Sequence, residues 1–433
     1  MAGVPVYRGS FGPAQAERLL WRGGFGPRPG EAGRLAGRGL GQAVLSLTRP
    51  PVERLTGPAP TDDKHFPIAP YDASGHDHLW WLDRMVRTNR PLVERMTLVW
   101  HDWFATSNQG VGSQRLMLDQ NALLRRHALG SFRDLVHDIT SDPAMLQWLN
   151  GNKNTKSSPN ENYGRELMEL FALGADRGAY TEVDVREQAR ALTGWRSQRV
   201  KGVGPTNFRY EPKLHDDGTK TIFGKSGNYG WQDSARLVVE HPLHASFFVG
   251  KLWSYFIPTP PPPATRHALE KMYQHSYAVR PVLEAILQHP ALYTGPRMVK
   301  PPAVFAAGML RALGRSIQTT QWFRLAPASG QRLFYPPNVA GWDETRWLDT
   351  ATFRGRWFLA ALLVNGAASS SAAGPEKLVD RALVYWNHSA VTKATRSVLV
   401  KFARTGLARG HSAAEIETAL RQLVATSPDL QTA

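Results

Sequence analysis

Apolar residues recur every three or four positions along most of this 433-residue chain, a spacing typical of amphipathic helices. The clearest stretch begins at His76 and carries two successive apolar stripes, Leu79, Leu82, Met85 and Val86, and then Leu92, Met96, Val99 and Trp103. Similar patterns predict helices at 112–128, 131–140, 160–174, 232–256, 264–275, 279–288 and 301–313. The predicted fold class is therefore mainly α, with a large multi-helix globular domain.

Residues 200–230 interrupt this helical period, because they are rich in Gly, Asp, Thr and aromatic residues. That composition predicts a small β-hairpin insertion near 207–224. Pro-rich and Gly/Ser-rich stretches indicate four consecutive segments. These are 1–75, with N-terminal short helices and a Pro-rich loop; 76–256, the main helical domain with the candidate site; 257–365, a second helical unit; and 366–433, a flexible linker with a C-terminal helical segment.

Composition narrows the chemistry that the chain can support. It contains no cysteine, which excludes disulfides, thiolate metal sites and cysteine nucleophiles. The formal net charge of +16 favours nucleic acid, acidic glycans or anionic lipid, although the basic residues are spread along the chain and form no basic arm. No run of about 18 apolar residues predicts a transmembrane segment. The first residues lack the apolar core of a signal peptide, so a cytoplasmic location is expected.

The stretch "PNENYGRELMELFALG", residues 159–174, bears most directly on function. On a helical wheel Glu166 and Glu169 lie beside the apolar face and not opposite to it. One interpretation is a half-buried salt-bridge cluster with Arg186 or Arg190 of the next predicted helix. The other is a paired-carboxylate site for acid/base chemistry or for a divalent metal ion.

Two His-Asp dipeptides could complete such a site, one in "VWHDWF" and one in "KLHDDG". Each dipeptide also has a structural interpretation. His101 and Asp102 could form helix-capping or core hydrogen bonds, and Asp-Asp-Gly is typical of a turn. In the functional interpretation, the catalytic residues are Glu166, Glu169, His215 and His101. The predicted metal ligands are Asp102, Glu166, Glu169, His101 and His215.

Several familiar motifs are absent, and one weak internal echo is present. "GTKTIFGKS" has five residues between its glycines, one more than a phosphate-binding P-loop allows, and neither Gly-x-Ser-x-Gly nor His-Glu-x-x-His occurs. "VVEHPLHASFFVGKLW" and "AILQHPALYTGPRMVKPP" each place a lysine ten or eleven residues after His-Pro, as His241/Lys251 and His289/Lys300. Two copies are too few to predict a repeat architecture.

Five ordered blocks resemble the bacterial domain-of-unknown-function-1800 family: "PNENYGRELMELFALG", "YTEVDVREQARALTGW", "FRYEPKLHDDGTKTIFG", "HPLHASFFVGKLW" and "YPPNVAGWDETRWLDTATF". The resemblance implies an α-rich fold with no assigned chemistry. It also implies an exported location and a co-encoded sulfatase- or phosphatase-like partner, which are frequent among members. The chain departs from the family where His-x-His usually follows the tryptophan at position 100, because it has His101-Asp102-Trp103 there. It also lacks an export signal.

Three functions remain open at this point. The first is an enzyme, specifically a hydrolase with a carboxylate/His polar or metal-binding site on a helical scaffold. The second is a non-catalytic scaffold subunit for a sulfatase/phosphatase-like protein, and the Trp- and Pro-rich loops would suit that role. The third is nonspecific binding of nucleic acid or another anion through the basic surface. Loop tryptophans would also suit an acidic or carbohydrate ligand.

Overall fold

The computed structural model describes residues 3–367, 372–388 and 390–433. Within these residues the fold is mainly α, as predicted. Its helices are α1 (Pro13–Arg22), α2 (Glu31–Ala36), α3 (Gly39–Thr48), α4 (His76–Arg87), α5 (Pro91–Trp103), α6 (Asn108–Val111), α7 (Gln114–Arg126), α8 (Phe132–Thr140), α9 (Pro143–Trp148), α10 (Asn162–Glu166), α11 (Glu182–Ala191), α12 (Trp231–Val239), α13 (His244–Ser254), α14 (Pro263–Gln274), α15 (Val279–Gln288), α16 (Pro290–Thr294), α17 (Pro302–Ala312), α18 (Gln321–Leu325), α19 (Thr350–Val364), α20 (Pro375–Tyr385), α21 (Lys393–Ala408), α22 (Ala413–Ala425) and α23 (Pro428–Gln431).

One predicted helix differs from the structure in detail. The helix predicted at 232–256 is two helices, α12 and α13, because Pro242 disfavours helical backbone at His241. The His241 ring then caps the turn, since its Nδ1 accepts a hydrogen bond from the backbone N–H of Leu243 at 3.2 Å. The predicted linker at 366–374 includes residues 368–371, which lie outside the described residues.

The β insertion consists of two separate antiparallel hairpins. Strand β1 (Trp195–Val200) pairs with β2 (Gly204–Tyr210), and β3 (Lys220–Ile222) pairs with β4 (Lys225–Gly227). A 3₁₀ turn at Pro212–Leu214 lies between them. The predicted insertion near 207–224 therefore falls inside a longer region that begins at the end of α11.

The chain divides into two compact units, and each is assembled from separate stretches of sequence. The first unit comprises Met1–Tyr7, Val93–Leu292 and Phe334–Trp342. The second comprises Arg8–Leu92, Tyr293–Leu333 and Asp343–Ala433. The four predicted segments are consecutive in sequence, whereas both of these units are discontinuous.

An aromatic cluster forms the core of the first unit. Phe132, at the start of α8, is fully buried, and its ring centroid lies 5.4 Å from Trp103 of α5 and 4.8 Å from Phe248 of α13. Phe248 in turn stacks on Tyr273 of α14 at 3.9 Å. Large rings of this kind bury much apolar area and prefer offset or edge contacts. They fix the C-terminal end of α5, where His101 and Asp102 lie.

In the second unit, α17 is buried along nearly its whole length. Its Arg311 is only 2% exposed and donates to the backbone carbonyls of Gly26 at 3.0 Å and Val86 at 3.1 Å. Burial lowers the pKa of Arg311 to about 10. A buried guanidinium is tolerated here because carbonyl oxygens replace the water that it loses.

Among the residues that the structure describes, no helix is both long enough and apolar enough to cross a membrane.

Candidate functional site

The helix that carries the two glutamates changes type halfway along. Helix α10 ends at Glu166, and the chain continues as a π-helical turn from Leu167 to Ala172. Its wider spacing is visible where the backbone N–H of Leu173 donates to Met168 O, five residues earlier, at 2.8 Å. Such π-turns are rare and recur at functional sites. The single helix predicted at 160–174 is therefore an α-helix followed by a π-turn.

Glu166 and Glu169 lie on either side of this change of helix type and are both half-buried. Burial raises the pKa of Glu166, the charge of Glu169 raises it further, and Arg165 acts in the opposite direction. Glu169 accepts a hydrogen bond from the Tyr180 hydroxyl at 3.4 Å. Burial and the Glu169 charge raise the pKa of Tyr180 to about 12, so this phenol stays protonated near neutrality.

Arg165 and Arg190 form their closest ion pairs with carboxylates other than Glu166 and Glu169. Arg165 pairs with Glu182 at 2.8 Å and with Glu161 at 3.3 Å. Arg190 pairs with Asp216 at 2.7 Å and with Glu187 at 3.0 Å.

His215 follows the 3₁₀ turn between the two hairpins and is half-buried. Its Nδ1 lies 3.0 Å from the carbonyl oxygen of Thr193, and because a carbonyl only accepts, this nitrogen donates. Its ring centroid lies 5.8 Å from that of Tyr210. Burial lowers the pKa of His215, and the bond to Thr193 opposes that change. The neighbouring Asp216 accepts from Gly218 N at 3.0 Å, which is the turn chemistry expected of Asp-Asp-Gly.

His101 and Asp102 occupy the last turn of α5 but have different surroundings. His101 is 1% exposed, and its ring lies 5.7 Å from Phe334 and 5.5 Å from Trp342. Burial lowers the pKa of His101 to about 3, so the imidazole is neutral. Asp102 accepts two hydrogen bonds, from the Tyr255 hydroxyl at 2.7 Å and from Trp342 N at 2.8 Å.

The loop that ends at Trp342 closes directly over Asp102. Gly341 has a φ of +92°, and a Cβ there would lie 2.3 Å from Asp102 Oδ1. Only glycine satisfies both the left-handed backbone and this close approach. The "NVAGW" sequence is therefore fitted to hold the carboxylate of Asp102.

Side chains from other helices satisfy the carbonyl oxygens at the end of the π-turn. Three consecutive carbonyls accept in this way: Leu170 from Lys251 Nζ at 3.0 Å, Phe171 from Trp103 Nε1 at 2.9 Å, and Ala172 from His244 Nδ1 at 2.7 Å. The last carbonyls of a helix lack partners within the helix, and a cation there is also favoured by the helix dipole. Lys251 is the only charged donor of the three.

Lys251 connects this helix end to Asp102. Its Nζ lies 4.6 Å from the centroid of the Trp103 ring, a cation–π distance, and the Tyr255 ring stacks on the same indole at 6.3 Å. Burial lowers the pKa of Lys251 to about 8, and the charge of Asp102 opposes that shift. Burial also raises the pKa of Asp102, while Trp342 N–H, Tyr255 and Lys251 act against the rise. We call Asp102, Lys251 and Tyr255 the Lys251 cluster.

The structure does not assemble a metal centre from the predicted residues. In the described ranges 3–367, 372–388 and 390–433, no group of three or more His, Asp or Glu side chains is placed to hold a metal ion. Asp102 is bound by Tyr255 and Trp342, and His215 is bound by Thr193. A shared ligand set would require these side chains to point at one position.

Sequence reasoning identified Asp102 but not the residues that surround it. Lys251 was visible only as one member of the His-Pro and lysine echo, and Tyr255 follows it by one helical turn. A lysine in an apolar helix is usually assigned to the surface, because its amine is costly to bury. Its partner Leu170 lies 81 residues away in sequence, so no local pattern could reveal the contact.

Comparison with known proteins gives one finding. The family model described as "Protein of unknown function (DUF1800)" matches residues 18–432. No curated protein and no solved structure matches this chain.

Proposed function

This chain belongs to the DUF1800 family of proteins of unknown function, and from the geometry of its first unit we propose that it is a hydrolase acting at the Lys251 cluster. The observation that carries the proposal is a half-buried amine, Lys251, whose pKa responds to the charge of Asp102, a carboxylate that the Tyr255 phenol holds by a hydrogen bond. Perturbed titratable groups of this kind concentrate at functional sites.

In this proposal Lys251 is the general base. With a pKa near 8, a useful fraction of its amine is neutral at mildly alkaline pH. The amine takes a proton from a water molecule as the water oxygen bonds to the central atom of an ester, which is the carbonyl carbon, the phosphorus or the sulfur. The resulting ammonium then returns the proton to the departing alkoxide, so that an acid and an alcohol leave and the lysine is regenerated.

Asp102 and Tyr255 have supporting roles. Asp102 stabilises the ammonium form of Lys251 through its charge. Tyr255 donates to Asp102, which fixes the carboxylate from one side while Trp342 N–H fixes it from the other. His101 acts as a positioning residue, because its neutral ring packs against Trp342 in the loop over Asp102. The net charge of +16 favours an ester that carries a negative charge elsewhere.

Turnover of a panel of nitrophenyl carboxylate, phosphate and sulfate esters tests the proposal. We expect one class to be hydrolysed with kcat/KM rising as the pH passes about 8, and Lys251→Met to lose at least about 100-fold. Lys225→Met, at an exposed lysine of the same unit, is the matched control and should keep full activity. Equal rates in wild type and a folded Lys251→Met protein would rule out this role, as would no turnover of any ester.

A second function, the binding of a sulfatase- or phosphatase-like partner protein, is favoured by a separate observation. Helix α19 leaves three large side chains exposed: Phe353 at 37%, Trp357 at 37% and Phe358 at 42%. Exposed aromatic residues are enriched at protein interfaces. Co-purification with such a partner should be lost in Trp357→Ala and kept in Val52→Ala, which truncates an exposed apolar residue elsewhere in the second unit. Equal co-purification of both variants would exclude α19 as the contact.

A further inference from the structure

Lys300, a buried lysine, borders a cavity of about 360 Å³ in the second unit. This volume lies in the range of small-molecule sites, which are largely apolar with a few placed polar groups. Its apolar walls include Phe305 and Met309 of α17 and Leu430 of α23. The amine of Lys300 donates to the carbonyl oxygen of Leu430 at 2.6 Å, and the residue is 4% exposed. We call this site the Lys300 cavity.

One wall of the Lys300 cavity is a rigid indole. The ring of Trp21, on α1, lies against Gly308 of α17 so closely that a Cβ on that glycine would be 2.2 Å from the ring. The centroid of the Trp21 ring also lies 3.6 Å from Lys300 Nζ. A fixed aromatic plane beside an amine is suited to a flat apolar ligand that carries an anionic group.

The cavity is lined by three basic and two acidic side chains. Arg18, Arg297 and Lys300 are basic, whereas Glu17 and Asp429 are acidic. Both carboxylates already have partners. Asp429 accepts from Arg297 Nη1 at 2.9 Å and from Thr392 N at 3.1 Å, and Glu17 accepts from the Trp21 indole N–H at 3.3 Å.

Arg18 retains a donor that no described residue uses. Its terminal nitrogens donate to three backbone carbonyls, of Tyr293 at 3.2 Å and of Gly295 and Pro296 at 2.7 Å each. Its Nε is buried, and within the described part of the chain no hydrogen-bond partner faces it. An unsatisfied buried donor is costly, and an acceptor in the cavity would remove that cost.

The positive groups around the cavity also destabilise one another. Burial lowers the pKa of Lys300 to about 7, and the charges of Arg297 and Arg356 add to the fall, while Glu17 and Asp429 oppose it. Burial also lowers the pKa of Arg18, with a further contribution from Arg297. Like charges that lower one another's pKa store repulsion, which a bound anion would relieve.

We propose that the Lys300 cavity binds a small aromatic carboxylate, with its ring in the apolar part of the cavity that Trp21, Phe305 and Met309 line, and its carboxylate between Lys300 and Arg18. The carboxylate would accept from Lys300 and from Arg18 Nε, and the ring would fill the space beside Phe305 and Met309. This site is independent of the Lys251 cluster, because every residue that lines it belongs to the second unit.

Proton linkage gives the proposal a specific signature. At about pH 8 most of Lys300 is neutral, and a bound carboxylate raises its pKa, so binding takes up close to one proton. Titration calorimetry with benzoate, in buffers that differ in ionisation enthalpy, counts that proton. We expect benzoate to bind at least about tenfold more tightly than benzamide, which has the same shape without the charge.

Three variants separate ligand binding from folding. Lys300→Met should lose benzoate binding. Lys300→Arg should bind benzoate with no proton uptake, because its charge is permanent. Lys64→Met, at an exposed lysine of the same unit, should match wild type in both affinity and proton count.

Three results would overturn the proposal. They are no benzoate binding by wild type up to about 10 mM, equal affinity for benzoate and benzamide, and proton uptake that persists in Lys300→Arg. If Lys300→Met does not fold, the proton uptake measured for Lys300→Arg still shows whether Lys300 is the group that binds the benzoate carboxylate. A loss of esterase activity in Lys251→Met with normal benzoate binding would separate the two sites.

Discussion

Lys251 and Lys300 follow the two His-Pro dipeptides of the sequence echo, and the structure places their amines in nearly the same environment. Each amine lies over a tryptophan ring, at 4.6 Å from Trp103 and 3.6 Å from Trp21. Each also donates to a distant backbone carbonyl, at 3.0 Å and 2.6 Å. In both, burial lowers the pKa of the lysine.

The histidines of the echo match as well. His241 Nδ1 accepts from Leu243 N at 3.2 Å, and His289 Nδ1 accepts from Ala291 N at 3.1 Å. In both copies the imidazole replaces a backbone acceptor in the turn after the proline. The echo in sequence is therefore a local structural echo, although two copies still do not make a repeat.

The two lysines differ in the carboxylates around them. Lys251 lies near Asp102, which is held by Tyr255 and Trp342. Lys300 lies near Glu17 and Asp429, both engaged elsewhere, and it borders an open volume. An amine with its own carboxylate is suited to proton transfer, whereas an amine that borders an open volume beside arginines is suited to binding an anion. The following predictions test this contrast.

The largest effect is expected for Gly341→Ala, which disturbs only the Lys251 cluster. We expect the free energy of unfolding to fall by about 3 kcal/mol. The new Cβ would lie 2.3 Å from Asp102 Oδ1, and the left-handed backbone would be strained in addition. Gly57→Ala is the matched control, since Gly57 has a φ of +94° and nothing within 4 Å of its Cβ position. It should cost about 1 kcal/mol in urea unfolding. Equal losses would show that the approach to Asp102 is not tight.

Asp102→Asn should cost about 2 kcal/mol near pH 7, because Lys251 then lacks the nearby carboxylate that offsets its burial. Part of the loss should be recovered above about pH 8, where the amine is neutral. The corresponding change beside Lys300, Glu17→Gln, should cost less than about 1 kcal/mol, since Glu17 is only half-buried and Asp429 remains. Equal losses in the two variants would remove the contrast between the lysines.

Both lysines should make the protein more stable at alkaline pH. Since each pKa is lower in the folded chain than the ordinary lysine value of 10.5, the unfolded chain binds more protons between about pH 7 and 10. The free energy of unfolding then rises with pH across that window, by at most about 1.4 kcal/mol per pH unit for each lysine. As the pH falls through the folded pKa values, the stabilisation that comes from deprotonating the two lysines is lost.

Two variants show how much each lysine contributes to this slope of the free energy of unfolding against pH. Lys300→Met should flatten it from about pH 7 upward, and Lys251→Met from about pH 8 upward. Chemical unfolding at a series of pH values measures both. A wild-type slope that neither variant changes would mean that other groups cause it.

The two lysines also show which features of the structure could be predicted from the sequence and which could not. Apolar periodicity gave the helices, because one face of each helix must be buried whatever its partner is. It could not separate the α-helical part from the π-turn at Leu167, since a few residues are too short to distinguish those periods. Nor could it show that Lys300 meets the carbonyl of Leu430, which lies 130 residues further on.

The smallest effect is expected for Glu166→Gln, at the start of the π-turn. Burial and Glu169 raise the pKa of Glu166, so the folded state disfavours its charged form. The stability linked to this group is fully present below its unfolded pKa and is lost as the pH rises through the folded pKa. Near pH 7, Glu166→Gln should therefore raise the melting temperature slightly, by less than about 2 °C, and this gain should vanish below about pH 4.

Glu182→Gln is the contrasting control. Glu182 is paired with Arg165 at 2.8 Å, and this arginine lowers the pKa of Glu182. It should lower the melting temperature or leave it unchanged. A clear fall in Glu166→Gln would instead mean that Glu166 is a stabilising ion-pair partner of Arg165, and that the charge of this helix serves packing.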